Sequence, residues 1–346
     1  MRGIAALGVM IYHARILIGV QIFPHGYLAV DLFFVLSGFV IAYAYDGPMA
    51  HGMRSLTFVK TRLIRFYPLY LLGLAIGMGR EIALIAGRNH YAMDPLTLIA
   101  TFLTSVLFVP WPTLHGDYNL FQLNVPAWSL FLELLVNIVY AVLYPKLSKS
   151  FLLASAFVAG LVVIGCTLAA NTANLGARAP LLLGPDITGG IARTVCSFSI
   201  GLLMCRLKLK GPRMPALALL LLVALALAVP ERTGMAYDLL FIFLISPSLV
   251  ILGASVEPGL KLRPIFRQLG ILSFPLYAIH RPVIAFAQAV ANATHLPSVV
   301  LAAGTIAALI ALSLVLDAKY DRPIRARLTK IFNPRVKSDP AAAAAP

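Results

Sequence analysis

Acidic residues are scarce: Asp and Glu number 13 in 346 residues, against 28 Lys and Arg. Charged residues of both signs make up 12% of the chain, about half the share found in soluble domains. Cysteine is rarer still. Cys166, Cys196 and Cys205 lie in or beside apolar runs with no paired spacing and no His at metal-ligand distance. That excludes a disulfide framework and a zinc site. Also missing is any water-compatible stretch between apolar runs long enough to fold as a separate domain. The first apolar run starts at Met1 without a polar leader or an Ala-x-Ala site, so it is not read as a removable signal peptide. The net charge of +15 would suit nucleic acid only if gathered on one water-facing groove or stripe. Here it is spread through short loops, and no nucleic-acid partner is expected.

What the chain has in excess is apolar surface. Hydrophobic residues reach 60% and the mean hydropathy is +0.89, which makes lipid the expected surroundings. Stretches of roughly 17–25 apolar residues place ten spans near 3–20, 27–45, 66–86, 127–145, 151–170, 187–205, 215–230, 236–254, 271–290 and 298–316. An eleventh run, from Thr97 to Trp111, is short and stops at Pro110, as a re-entrant or interfacial segment would. The expected fold is therefore all-α, a polytopic transmembrane bundle over residues 1–323, followed by a basic, disordered tail over 324–346.

Orientation follows from the Lys and Arg bias, because short basic loops stay in the cytoplasm. With the N-terminus inside, the cytoplasmic side receives Arg2, the Arg54–Arg65 cluster, Lys146 and Lys149, the Arg206–Arg213 cluster, the Lys261–Arg267 cluster and the tail. Those hold 21 of the 28 basic residues. Counting 97–111 as a crossing weakens the split, so both termini are expected in the cytoplasm of a bacterial inner-membrane protein.

Ionisable residues inside spans carry the functional information, since each costs at least ~2.5–3.5 kcal/mol to bury in lipid. They include His13, Arg15, Asp31, Glu133, Arg193, His280 and Arg281. At 1.5 Å per helical residue, His13 lies ~16 Å beyond Arg2, Glu133 ~10 Å below Pro126 and Asp31 ~6 Å below Tyr27. Four such groups from four helices suggest one shared polar cavity near mid-membrane. A pairing of Arg193 with Asp31 or Glu133 is the structural alternative. Arg62 and Arg65 are explained by topology as readily as by phosphate binding, and Ser129 lacks the Gly-x-Ser-x-Gly setting of a nucleophile.

Several runs taken together resemble a family. They are Arg2-Gly3-Ile4 through His13, an Arg-x10-His pattern, and Gly26 through Phe39 with Asp31-Leu32-Phe33-Phe34 at its centre. Arg62-x-x-Arg65 with Pro68 and Tyr70 follows, then Trp128-Ser129-Leu130-x-x-Glu133. The last are Ser273, Tyr277, His280 and Pro282 in one run, and Tyr320-Asp321-Arg322-Pro323. In this order the chain resembles the integral-membrane acyltransferase 3 family, which includes bacterial O-antigen and exopolysaccharide O-acetylases. It departs from the pattern where residues often precede the Arg, pointing to a truncated or misassigned start, and at Asp321, where Glu is common.

The resemblance implies an O-acyltransferase that carries no permanent cofactor and uses cytoplasmic acyl-CoA, with an acetyl group the first expectation. The acceptor would be a hydroxyl of a carbohydrate or glycoconjugate. Arg2, Arg62 and Arg65 would hold the donor's phosphates, which guanidinium forks suit. His13 would act as general base or as acyl acceptor, with Glu133 or Asp31 orienting its ring. Ser273, Tyr277, His280 and Arg281 would line the acceptor side, Arg281 facing an acidic group. The rival expectation, a secondary transporter or flippase, calls for an internal repeat, which the sequence lacks.

Overall fold

The computed structural model describes residues 1–89, 92–111, 118–179, 184–294 and 296–333. Most of these residues are helical, and there is no β-strand among them. The elements run α1 (Arg2–Ile18), α2 (Ala29–Ala50), α3 (Ser55–Ala86), α4 (Pro95–Val106), α5 (Ala127–Leu143), α6 (Lys149–Ala170) and α7 (Pro185–Arg206). Then come α8 (Ala216–Leu227), α9 (Gly234–Leu240), α10 (Ser246–Gly253), α11 (Arg263–Ala293), α12 (Ser298–Leu316) and α13 (Arg322–Phe332).

Eight helices among the described residues are long and apolar enough to cross a membrane, the continuous run Glu231–Gly253 that joins α9 and α10 counting as one, and the chain is a multi-pass membrane protein. They match eight of the ten expected spans. The other two are shorter: α1 has 17 residues and α8 has 12. At 1.5 Å per residue α8 reaches only ~18 Å, well under the ~30 Å hydrocarbon core. The α4 segment is as short as its sequence implied; Asp94 caps it by accepting the Thr97 N–H at 2.9 Å, and Pro95 opens its first turn. Of the stretch expected as a disordered tail, residues up to Phe332 form the end of α13, and 334–346 lie outside the described residues.

Lipid removes the ordinary hydrophobic drive between helices, so close approach depends on small residues. At the crossing of α2 and α7, Gly38 lies against the Phe198 carbonyl and Gly201 against the Val35 carbonyl, and a methyl group on either would collide with backbone. The outer helices are apolar on all sides. Leu153, Phe157, Leu161 and Leu168 of α6 are each more than half exposed, which is stable only against acyl chains.

Two irregularities set the positions of functional groups. The segment before α5 is buried, with Leu120, Phe121, Leu123 and Asn124 inside the bundle. Gly77 of α3 allows that segment in, since a Cβ there would meet the Leu123 carbonyl. The second lies on α11, where Pro282 has no N–H to offer the Ala278 carbonyl. Asn124 Nδ2 donates to that carbonyl at 2.9 Å instead.

Candidate functional site

The buried entry segment changes where Glu133 sits. Counting from Pro126 as the membrane surface puts Glu133 level with His13, but α5 starts inside the bundle and carries Glu133 further down. It lies beside the N-terminal end of α1, sharing a small cavity of about 20 Å³ with Arg2, Ser129, Ser273 and Tyr277. Glu133 Oε1 accepts from Ser37 Oγ at 2.7 Å and lies 3.5 Å from Arg62 Nη2. In the same cavity the Ser129 and Tyr277 hydroxyls are 2.5 Å apart. Because Ser129 donates to the Pro126 carbonyl at 3.0 Å, the Tyr277 hydroxyl donates to Ser129.

The three expected donor-binding arginines converge at this end. Arg2 faces the Phe33 ring with its guanidinium 6.0 Å from the centroid, and Arg62 lies 5.0 Å from that of Phe66. Arg65 packs on Phe274 at 5.0 Å and lies 4.0 Å from Asp321. A π-helical turn over Asp317–Asp321 brings Asp321 inward, where Arg325 of α13 also reaches it at 3.0 Å. Four guanidinium groups thus meet two carboxylates. The Nε atoms of Arg2 and Arg62 are buried without a hydrogen-bond partner, as is Asp321 Oδ1. Arg325 carries no signal within the motifs and was missed from sequence.

Asp31 is committed elsewhere. It forms a buried two-point pair with Arg193, through Nε at 3.1 Å and through Nη2. Arg193 Nη1 donates to the carbonyls of Ala173 and Leu175 at 2.7 and 2.9 Å. Both pair members are essentially inaccessible, at 0% and 1% exposure. Of the two partners expected for His13, one is therefore held by Arg193 and the other by Ser37 and Arg62.

The neighbour that His13 does have is His280. The ring centroids are 5.2 Å apart and the planes are inclined at 39°. His280 is buried, and its Nδ1 lies 2.8 Å from the Tyr277 carbonyl. A carbonyl only accepts, so Nδ1 carries the proton and Nε2 keeps its lone pair. That Nε2 is buried without a partner. Arg281 is within electrostatic range of both rings.

Beyond His280, α11 borders a second and larger cavity of about 150 Å³. Arg80, Glu81, Asn119, Gln122, Arg281 and Gln288 contribute its polar lining. Hence the four residues expected on the acceptor side separate: Ser273 and Tyr277 line the first cavity, Arg281 lines the second, and His280 lies between. A further buried group, His25 with Asp238 at 2.9 Å and Tyr27 donating to Asp238 at 2.8 Å, ties the start of α2 to α9. Asp238 and Glu81 both fall inside expected spans, so the rule that singled out Glu133 reaches them too.

A model of the acyltransferase 3 family, described as an acyltransferase domain, matches residues 1–318. Protein 2 in the picA locus of Rhizobium radiobacter is 44% identical over 151 residues, covering 40% of this chain and 77% of that protein. No solved structure matches the chain.

Proposed function

The chain belongs to the acyltransferase 3 family and is an acyltransferase, and from that premise we propose that it moves an acetyl group from cytoplasmic acetyl-CoA to a carbohydrate hydroxyl. The observation that carries this reading is the His13–His280 pair on α1 and α11, with a cationic cluster at one end of α11 and a polar cavity at the other. Arg2, Arg62, Arg65 and Arg325 bind the phosphates of the donor, whose long, thin pantetheine arm takes the thioester toward His13. Arg side chains suit this role because their forks bind phosphate at two points.

In the reaction His13 removes the proton of the acceptor hydroxyl as its oxygen attacks the thioester carbonyl. The new C–O bond forms, the C–S bond breaks, and the proton passes from the imidazolium to the departing thiolate. His280 is a positioning residue: its Nε2 lone pair, which has no partner among the described residues, turns to accept the N–H of His13 in the reacting state, fixing the tautomer and stabilising the charged ring. This assigns to an imidazole the part that a carboxylate plays in a triad. Glu133 instead holds Arg62, and through it the donor site.

The test is consumption of acetyl-CoA by purified protein in detergent when a glycoside acceptor is added. Arg62→Gln should raise the acetyl-CoA KM about tenfold, the loss of one charge-assisted phosphate contact, with kcat little changed. No thioester consumption by the wild type with neutral or acidic glycosides overturns the reading. An unchanged donor KM in Arg62→Gln removes that residue from the donor site.

This arrangement also requires a direction. Both termini lie in the cytoplasm of a bacterial inner membrane, with the arginine cluster on the donor side. A reporter fused at Lys337 should be active only when it is of the cytoplasmic type. Activity of a periplasm-dependent reporter at that position inverts the orientation.

A further inference from the structure

We propose that Tyr277 is a gate between the arginine cluster and the His13–His280 pair, held shut by its hydrogen bond to Ser129, and that the donor's pantetheine arm enters only when this bond opens. This deepens the acyl-transfer reading and rests on acyl-CoA as the donor.

The route follows from adjacency. The Arg2 guanidinium lies 6.0 Å from the centroid of the Phe33 ring. The Phe33 ring is 5.6 Å from that of Tyr277, Tyr277 is 5.6 Å from His280, and His280 is 5.2 Å from His13. An unbroken series of side chains thus joins the phosphate-binding end to the proposed base. Its span is that of α1 between Arg2 and His13, ~16 Å at 1.5 Å per residue. A thioester on an extended arm has to pass the level of Phe33 and Tyr277 to reach His13.

The structure is closed at that level. The Phe33 and Tyr277 rings meet edge to face, inclined at 79°, and the Tyr277 hydroxyl lies 2.5 Å from Ser129 Oγ on α5. Both residues are buried. The cavity that they line together with Arg2 and Glu133 measures about 20 Å³. It holds no more than about two water positions, far too few for a pantetheine arm. The shut form therefore offers its arginines to the phosphates but has no room for the arm.

The backbone of α11 is built to give here. Tyr277 stands between Pro275 and Pro282, which have no N–H for the carbonyls of Ile271 and Ala278. Helices bend at such points. The Ala278 carbonyl is tied to Asn124 instead, which leaves the turn at Pro275 as the place to bend. Tyr277 is also linked to the reacting groups, since its carbonyl accepts from His280 Nδ1 at 2.8 Å. Displacement of Tyr277 by the arm carries His280 with it, so the second imidazole is set as the thioester arrives.

The sign of the effect separates a gate from a contact. If the Tyr277–Ser129 bond holds the shut form, donor affinity is reduced by the fraction of molecules that are open, and breaking the bond raises it. If the hydroxyl grips the arm, breaking the bond lowers affinity. Calorimetric titration of the purified full chain in detergent reads this sign. One probe is CoA, which has the arm and no acyl group to transfer. The other is its nucleotide half, 3′-phospho-ADP, which has the phosphates and no arm. Tyr277→Phe and Ser129→Ala should each bind CoA about two- to tenfold more tightly than the wild type, the range for one neutral hydrogen bond. The double variant should gain no more than the larger single gain, because both changes remove the same bond. Affinity for 3′-phospho-ADP should be equal in all four proteins. Melting temperatures are taken on the same samples, and the two single variants test the bond from different helices, so that either one decides if the other folds poorly.

Weaker or unchanged CoA binding in folded variants overturns the gate. Equal gains for CoA and 3′-phospho-ADP overturn it too, because the effect then lies in the arginine cluster. Those failures, in a protein whose wild type binds CoA, leave the acyl-CoA donor standing. A wild type that binds neither probe rejects that donor, and the gate with it.

Discussion

His13→Ala is expected to reduce acyl transfer by about 10²–10⁴-fold, the usual range for losing a positioned general base, while protein level and membrane insertion stay unchanged. The substitution is mild for the fold. His13 is half-buried, α1 keeps its other contacts with α11, and Ala is the best helix former. Binding of acetyl-CoA should also survive, because the arginine cluster lies about eleven residues away at the start of the same helix. The comparison variant is His280→Gln, which keeps a hydrogen-bonding group but not the imidazole. It should lower kcat with little change in either KM, and shift the acid limb of the kcat–pH profile, since His280 acts through His13. His280→Ala should be worse than His280→Gln. Full turnover in His13→Ala ends the mechanism. A His280→Gln enzyme with an unaltered pH profile, and turnover reduced only in step with its melting temperature, leaves His280 as packing.

The sequence carried the helical class, most of the spans and the Arg-x10-His frame, because apolar length and the position of a charge in a helix are local properties. The pairing of Asp31 with Arg193 was open to the same reasoning: two opposite charges buried in neighbouring spans need each other. The depth of Glu133 was not. It depends on residues 118–126 entering the bundle, which in turn depends on Gly77 leaving room for a carbonyl and on Asn124 satisfying the Ala278 carbonyl that Pro282 leaves free. No periodicity reports such contacts between segments. The His13–His280 pair is similar in kind. Both residues stood out as ionisable groups in lipid, but their adjacency is set by the packing of α1 on α11, where Gly3 lies against the Leu269 carbonyl. The short α8 shows a different limit. Its apolar run extends past the helix because Pro230 and the turn after it stop the helix before the hydropathy falls.

The largest effect on stability is expected at Asp31. Asp31→Asn leaves the Arg193 guanidinium buried at 1% exposure without its counter-charge, and removing one partner of a buried pair costs ~3–5 kcal/mol. Arg193 cannot turn to solvent for relief, since its Nη1 is already bonded to the Ala173 and Leu175 carbonyls. Those bonds hold the 173–175 segment against α7. The melting temperature in detergent should therefore drop by several degrees in Asp31→Asn, and also in Arg193→Met, where the carboxylate is the one stranded. Asp31→Leu combined with Arg193→Met removes both charges and should recover part of the loss, because uncharged side chains of similar volume often replace a buried pair at little cost. The recovery should be incomplete, as the two carbonyls lose their donor. Turnover measured on the same preparations separates structure from catalysis. If Asp31 serves only the fold, specific activity per folded molecule stays near that of the wild type in Asp31→Asn, and acetyl-CoA KM does not move. A variant that melts normally yet has lost turnover would return Asp31 to the catalytic group and displace His280 as the partner of His13.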